Sequence, residues 1–290
     1  MTSTATSAIS AARPIRSRRS TVRREPIAVT IRALLYVIYG LPLLWIVLTS
    51  LKQQGDVLGG GGLLFSPTLN AYRDALANPQ LPTALLQSGQ IALGTTVLVL
   101  VLATPFAYAL ARVNGWIAGL ALGVLIFLQM VPQTANIIPL FALFSKAHLL
   151  DSTVSLVLAN SAMLLPWATL LLRPFFAAVP DAIEEAAAID GAGRLRAFVA
   201  VVLPVVRNGV ATVGSLIFLV AWGEFIYAIN LFLSPENYPM SALIAQQTSG
   251  YGIDWPALMA FAVISSLPLL VVYVLSFRLL REGLAVGSVK

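Results

Sequence analysis

Long runs without a charged residue constrain this chain more than any other feature. No Asp, Glu, Lys or Arg occurs at 33–51, 75–111, 113–145, 152–172 or 255–277. A sixth apolar run, after Arg207, is interrupted only by Glu224 before Leu233. A helix that crosses a bilayer core needs about 20 apolar residues. The runs therefore predict an all-α membrane protein of six transmembrane helices, near 31–51, 84–111, 116–142, 153–176, 209–233 and 257–281. A membrane β-barrel is excluded. Its strands alternate in polarity over about 10 residues, and Val97–Ala103 does not alternate.

Composition agrees: 58% of residues are hydrophobic and 10% charged. A soluble domain carries about 25% charged residues, so a soluble enzyme of this length is excluded. The chain has no cysteine and one histidine, His148. That removes disulfides, thiolate metal sites, a cysteine nucleophile and any site needing two histidines. The sequence also predicts no catalytic or metal-ligating set. Orientation follows from the basic residues. With the N-terminus inside, 15 of the 18 Lys and Arg fall on the inner face, leaving Lys52, Arg73 and Lys146 outside. Both termini are thus expected in the cytoplasm. The net charge of +6 is explained without nucleic acid.

Residues 1–30 read as a disordered basic cytoplasmic arm; positions 1–24 hold six Arg, nine Ser or Thr and no acid. An arm held over anionic membrane lipid fits better than a transit peptide or a specific partner-binding tail. Residues 31–83 supply the first transmembrane helix and a long outer loop, flexible at Gly59–Gly62. Further outer loops are expected at 144–152 and 234–256.

Between the fourth and fifth spans lies an inner segment, 180–204, that does not read as a loop. Asp181 followed by Glu184 has the spacing of a capping box, Ala182–Ile189 are good helix formers, and Gly191 is placed for a left-handed cap. Ile183, Ala186, Ala187 and Ile189 make a small apolar face that cannot bury itself. A helix lying on lipid would carry Lys or Arg on its polar face and large apolar residues opposite. Here the polar face is acidic and the other is largely alanine, which points to a docking helix.

These residues carry a resemblance. Glu185-Ala186-Ala187, then Gly191, Val201 and Leu203-Pro204, resemble the EAA motif (EAA-x3-G-x9-I-x-LP) of permeases in binding-protein-dependent ABC importers, with Val201 in place of Ile. Ile189-Asp190-Gly191-Ala192 is similar to the carbohydrate-importer version. Leu41–Trp45, Thr49–Lys52, Ala107–Arg112, Trp222–Phe225 (Gly223 where the family has Asn) and Gly283–Lys290 resemble the maltose-type second permease. The resemblance spans 31–290 and implies a permease core over 84–281 with a cytoplasmic tail at 282–290. It further implies a bacterial cytoplasmic membrane location, a second permease subunit, a cytoplasmic ATPase dimer and an extracytoplasmic solute-binding protein. ATP and Mg would be used by the ATPase and no cofactor bound by this chain, which lacks a G-x-x-x-x-G-K-[ST] loop. Glu184, Glu185, Ala186, Ala187, Asp190, Gly191, Leu203 and Pro204 would form the ATPase-coupling segment. Transport of a sugar or related polyol would proceed by alternating access.

Within the spans, Glu224 is a charge at membrane depth and is expected to face the bundle interior. Trp222, Glu224, Tyr227 and Asn230 are the candidate pathway residues; Gln129, Asn136 and Asn160 are further candidates for the same lining, with interhelical hydrogen bonding as the alternative role. Pro132 and Pro139 should kink the third span, and Pro105 the second. Two alternatives remain: a permease for another solute, such as a glycerol phosphate, or a membrane enzyme. The latter would need clustered acids or a Ser–Lys pair.

Overall fold

Each charge-free run becomes helix, but two of the six are broken. The computed structural model describes residues 26–286 apart from 61, 63, 114, 250 and 251. The basic arm before residue 26 and the tail from 287 lie outside the described residues. The chain divides into two units, 1–45 and 46–290. In the first, helix α1 (Pro26–Ser50) begins; its side chains from Val29 to Trp45 are exposed and strongly apolar.

The second unit is built on α4 (Gln80–Arg112), α7 (Thr153–Ala177), α10 (Leu203–Trp222) and α13 (Trp255–Val286). Short helices α2 (Gln54–Leu58) and α3 (Asn70–Ala77) precede α4. Lipid tails are as apolar as leucine, so close packing rather than water exclusion holds such helices together. Small residues supply it. Ala92, Ala103 and Ala107 on α4 and Ala168 on α7 are fully buried. A Cβ on Gly209 of α10 would lie 2.4 Å from the Phe175 ring of α7, and one on Gly214 would lie 2.9 Å from Leu100 of α4. A larger residue at Gly209 requires the Phe175 ring or the two helices to shift.

The helices corresponding to the first, second, fourth and sixth spans fall within a few residues of the sequence-based bounds. The third differs. Helix α5 (Trp116–Gln129) stops, a 3-10 turn covers Gln133–Asn136, and α6 (Ile137–Lys146) leaves at an 85° bend. Pro132 lies at that break. Pro139 and Pro105 lie inside α6 and α4, which continue through them.

The fifth span is displaced. Instead of 209–233, an apolar helical stretch runs from Arg194 to Trp222. It comprises α9 (Arg194–Ala197), a π-turn at Phe198–Val202 and α10; α8 (Asp181–Ile189) precedes it. A proline ring clashes with the carbonyl four residues back. For Pro204 that residue is Ala200, inside the π-turn, whose wider winding makes room. The segment 194–204 is therefore the start of a long helix rather than part of a loop. The helix ends at Gly223, and α11 (Ile226–Leu231) follows after a break holding Glu224.

Beyond α11 come α12 (Met240–Ala245) and a two-residue hairpin pairing β1 (Thr248–Ser249) with β2 (Gly252–Ile253). Asp151, at φ +61°, ties the α6–α7 connection to this region. Its carboxylate accepts from the Leu233 and Ser234 amides and from Asn237, each at 3.3 Å. Burial alone would raise the Asp151 carboxyl, but the bonds from Ser234, Asn237 and Leu233 outweigh it and hold the group below the ordinary aspartate range.

Candidate coupling surface and solute cleft

Helix α8 has one anchored face and one bare face. Its N-cap is Pro180, which has no side-chain acceptor, so the capping box expected from Asp181 and Glu184 does not form. Glu184 turns inward instead. Its Oε1 accepts from Arg112 Nε at 2.8 Å and also from Arg112 Nη2, and its Oε2 accepts from Tyr108 Oη at 2.5 Å. Arg112 also donates to the carbonyls of Phe176 and Val179, each at 3.2 Å. Asp181 lies 3.7 Å from Arg112 but is exposed. Burial raises the Glu184 carboxyl, whereas the hydrogen bonds from Tyr108 and Arg112 and the Arg112 charge lower it. The lowering wins, so Glu184 is ionised at neutral pH. A depressed carboxyl contributes stability above its unfolded value and loses it as pH falls through the folded one. The cluster thus persists at neutral pH and weakens only as pH falls through and below the ordinary glutamate range.

Ala187 is buried and Ile183 half-buried on this same face. The sequence reading placed Glu184 and Ala187 against a partner; the structure turns both toward the chain's own α4 and π-turn. Leu203 packs half-buried on the core, and Pro204 is exposed on α10. The bare face holds Ala182, Glu185, Ala186, Ile189 and Asp190, all exposed. Ile189 is 87% exposed, as is Leu195 of α9 at 76%. Gly191 has φ +81° and closes α8 in a Schellman motif. Ala192 N donates to Ala187 O at 2.9 Å, and Gly191 N to Ala188 O at 3.0 Å. Sequence reasoning placed Arg112 and Tyr108 at the inner end of the second span but gave neither a part in the coupling segment, and gave Leu195 none. The signal for the first was present: a lone cation ending a long apolar run, with acids available on the following inner segment.

The second feature is a cleft where the two broken helices meet. Gln133, in the bend of the third span, donates to Glu224 Oε1 at 2.6 Å. Glu224 is 8% exposed and caps α11: Oε1 accepts from Tyr227 N at 2.8 Å and Oε2 from Ala228 N at 3.2 Å. Ser241 Oγ donates to the Glu224 carbonyl at 2.6 Å. Beside this junction opens a cleft of about 760 Å³ whose lining includes Gln129, Gln133, Asn136, Met163, Trp167 and Tyr227. Among the described residues, none of its lining carries a charge.

Of the four pathway candidates, only Tyr227 lines the cleft. Glu224 stands behind it and acts on it through Gln133. Trp222 points elsewhere: its Nε1 donates to Ser265 Oγ of α13 at 3.2 Å. Asn230 donates to Ile226 O of its own helix at 2.7 Å. Asn160 is fully buried near Glu224 rather than on the cleft wall. Trp167 and Gln133 were missed, since a tryptophan in an apolar run carries no signal of its own.

Among the described residues, five helices are long and apolar enough to cross a membrane, six if the bent pair α5 and α6 makes one span; with the exposed helices α8 and α9 and a bundle broken beside a cleft, they define an integral-membrane permease. Residues 103–286 match the family described as the binding-protein-dependent transport system inner membrane component, and the chain belongs to that family. It is 36% identical over 224 residues to a putative ABC transporter permease of Streptomyces antibioticus, covering 77% of this chain and 98% of the relative. It is 32% identical over 263 residues to the sulfoquinovosyl glycerol transport system permease of Agrobacterium fabrum (90% and 92% covered). A trehalose transport system permease of Mycobacterium tuberculosis is 31% identical over 252 residues, covering 86% and 92%. The fold matches a crystal structure of a bacterial alginate ABC importer with a TM-score of 0.71 at 21% identity, over 88% of this chain and 97% of that one.

Proposed function

We propose that this chain is one of two transmembrane subunits of an importer for a neutral carbohydrate or polyol, driven by a cytoplasmic ATPase dimer and supplied by an extracytoplasmic binding protein. The carrying observation is the division of α8. Its inner face is pinned to α4 through Arg112, which also reaches the end of α7, while Glu185, Ala186 and Ile189 are exposed, as is Leu195 of the following helix α9. An anchored helix with an unpaired apolar and acidic face suits a protein dock, and the ATPase is the partner that the family requires. ATP and Mg belong to that partner. Helices α5 and α6, the two halves of the bent third span, count as one crossing, giving six spans with both termini inside and the arm over anionic lipid.

The cleft forms this subunit's wall of the solute path. An aromatic face, amides and a phenol recognise hydroxyl-rich neutral molecules, and a lining without Lys or Arg speaks against a phosphate-bearing solute. Names of several relatives, trehalose among them, support the carbohydrate reading.

Two measurements test this. Affinity purification of the tagged chain, coexpressed with its neighbouring transport genes, should retain an ATPase, and uptake should follow a labelled sugar rather than glycerol phosphate. The cysteine-free chain also allows topology to be read. Cysteine at exposed Ser66 should react with a membrane-impermeant thiol reagent in intact cells, whereas cysteine at exposed Gly193 should react only after permeabilisation. Labelling of position 193 in intact cells would refute the orientation.

A further inference from the structure

We infer that Arg112, Glu184 and Tyr108 form a permanent mechanical link that passes displacement of α8 into α4 and α7. The inference rests on the reading of α8 as the ATPase dock. Tyr108 and Arg112 stand four residues apart near the end of α4, so both project from one face of it. Between them they hold both oxygens of Glu184. Arg112 also reaches the Phe176 and Val179 carbonyls at and just beyond the end of α7. A guanidinium is planar, with donors in a fixed fork, so one side chain fastens three elements at set angles.

The surroundings leave little slack. The Arg112 and Glu184 side chains are only 22% and 20% exposed. The Tyr108 ring lies 4.9 Å from that of Phe198 in the π-turn and 5.8 Å from that of Phe176. Ala187, one turn along α8, is buried on the same side. A push on Ile189 therefore cannot tilt α8 about a loose hinge; it must carry the ends of α4 and α7 with it. These two helices border the interior of the bundle: α7 supplies Met163 and Trp167 to the cleft, and α4 packs along α7. Arg112, Glu184 and Tyr108 are positioning residues, acting on the cleft through the helices that they join.

The test uses the complete complex in lipid nanodiscs. In Glu184→Gln, the ATPase should remain bound while the stimulation of hydrolysis by loaded binding protein falls at least fivefold. Arg112→Lys, which keeps the charge without the fork, should fall by an intermediate factor. Tyr108→Phe keeps the ring packing and should lose about twofold, which separates the hydroxyl's part from misfolding. Cysteines replacing Arg112 and Glu184, joined by a short bis-methanethiosulfonate, should restore stimulation and uptake. Unchanged stimulation in Glu184→Gln would overturn the link, as would loss of uptake on cross-linking, because the pair would then have to open during the cycle. Loss of the ATPase from Glu184→Gln would also overturn it, by making Glu184 part of the dock. Retention of the ATPase in Ile189→Asp would instead overturn the docking surface, so the two failures are distinguishable.

Discussion

Ile189→Asp should remove the ATPase from the purified complex and abolish uptake, while the amount of subunit in the membrane should stay at the wild-type level. Ile189 is 87% exposed in this chain, so it supports nothing within the fold. In a dock it would be desolvated, and full burial of such a side chain is worth about 1.5–3 kcal/mol. An aspartate there forfeits this and must also shed its hydration, at a further cost of several kcal/mol if left unpaired. Each ~1.4 kcal/mol is a factor of ten in affinity, so the loss exceeds a hundredfold. Glu185→Lys on the same face reverses a charge and should cost about 2–5 kcal/mol where its partner is buried. Both are read by the ratio of ATPase to permease after affinity purification. Ala187→Trp behaves differently: that site is buried within the chain, so the indole lowers the yield of folded subunit before any partner is met. Gly191→Val forces a β-branched residue into φ +81°, at about 1–2 kcal/mol, and loosens the end of the docking helix.

Glu224→Ala gives the second large effect. The carboxylate is buried and accepts from two backbone amides and one side-chain amide. Removing it strands the Tyr227 and Ala228 donors, and each buried unpaired group costs about 1–3 kcal/mol. The start of α11 should fray, Gln133 should lose its position on the cleft wall, and uptake should fall below a hundredth of wild type. Glu224→Gln keeps one acceptor oxygen but presents an amide donor to the remaining N–H group. It should be intermediate, near a tenth of wild-type uptake, with a lower unfolding temperature of the complex. Equal uptake in Glu224→Gln and wild type would show that the charge is dispensable and the cap alone matters.

The legibility of these features in the sequence varies with the range of the interaction behind them. Hydrophobic run length is local, and it located α1, α4, α7 and α13. The cap at Gly191 is also local and was readable from one glycine after an alanine-rich stretch. The shift of the fifth span was not, because Gly223 breaks the helix only together with the carboxylate of Glu224, which satisfies the amides of the next turn. Nor was the inward turn of Glu184 readable. The same Asp–x–x–Glu spacing serves a capping box, and only the arrival of Arg112 and Tyr108, more than 70 residues away in sequence, decides otherwise. The cleft is the extreme case: its wall joins α5, the 3-10 turn, α7 and α11, and no pattern along the chain records that meeting.

The interrupted third span has a thermodynamic consequence. Helix α5 ends at Gln129 and the 3-10 turn begins only at Gln133, so a short stretch of backbone lies outside any helical ladder in the middle of a charge-free run. In hydrocarbon such peptide groups have no partner to spare, and irregular backbone at that depth persists only against protein or beside water. The cleft at that bend is open and partly polar. Such a cleft can hold water at that depth, and on the proposed reading of it as the solute path a sugar there would exchange one set of hydroxyl contacts for another instead of being stripped dry. On that reading the largest solvation barrier in moving a polyol through oil would be lowered by the shape of the protein itself.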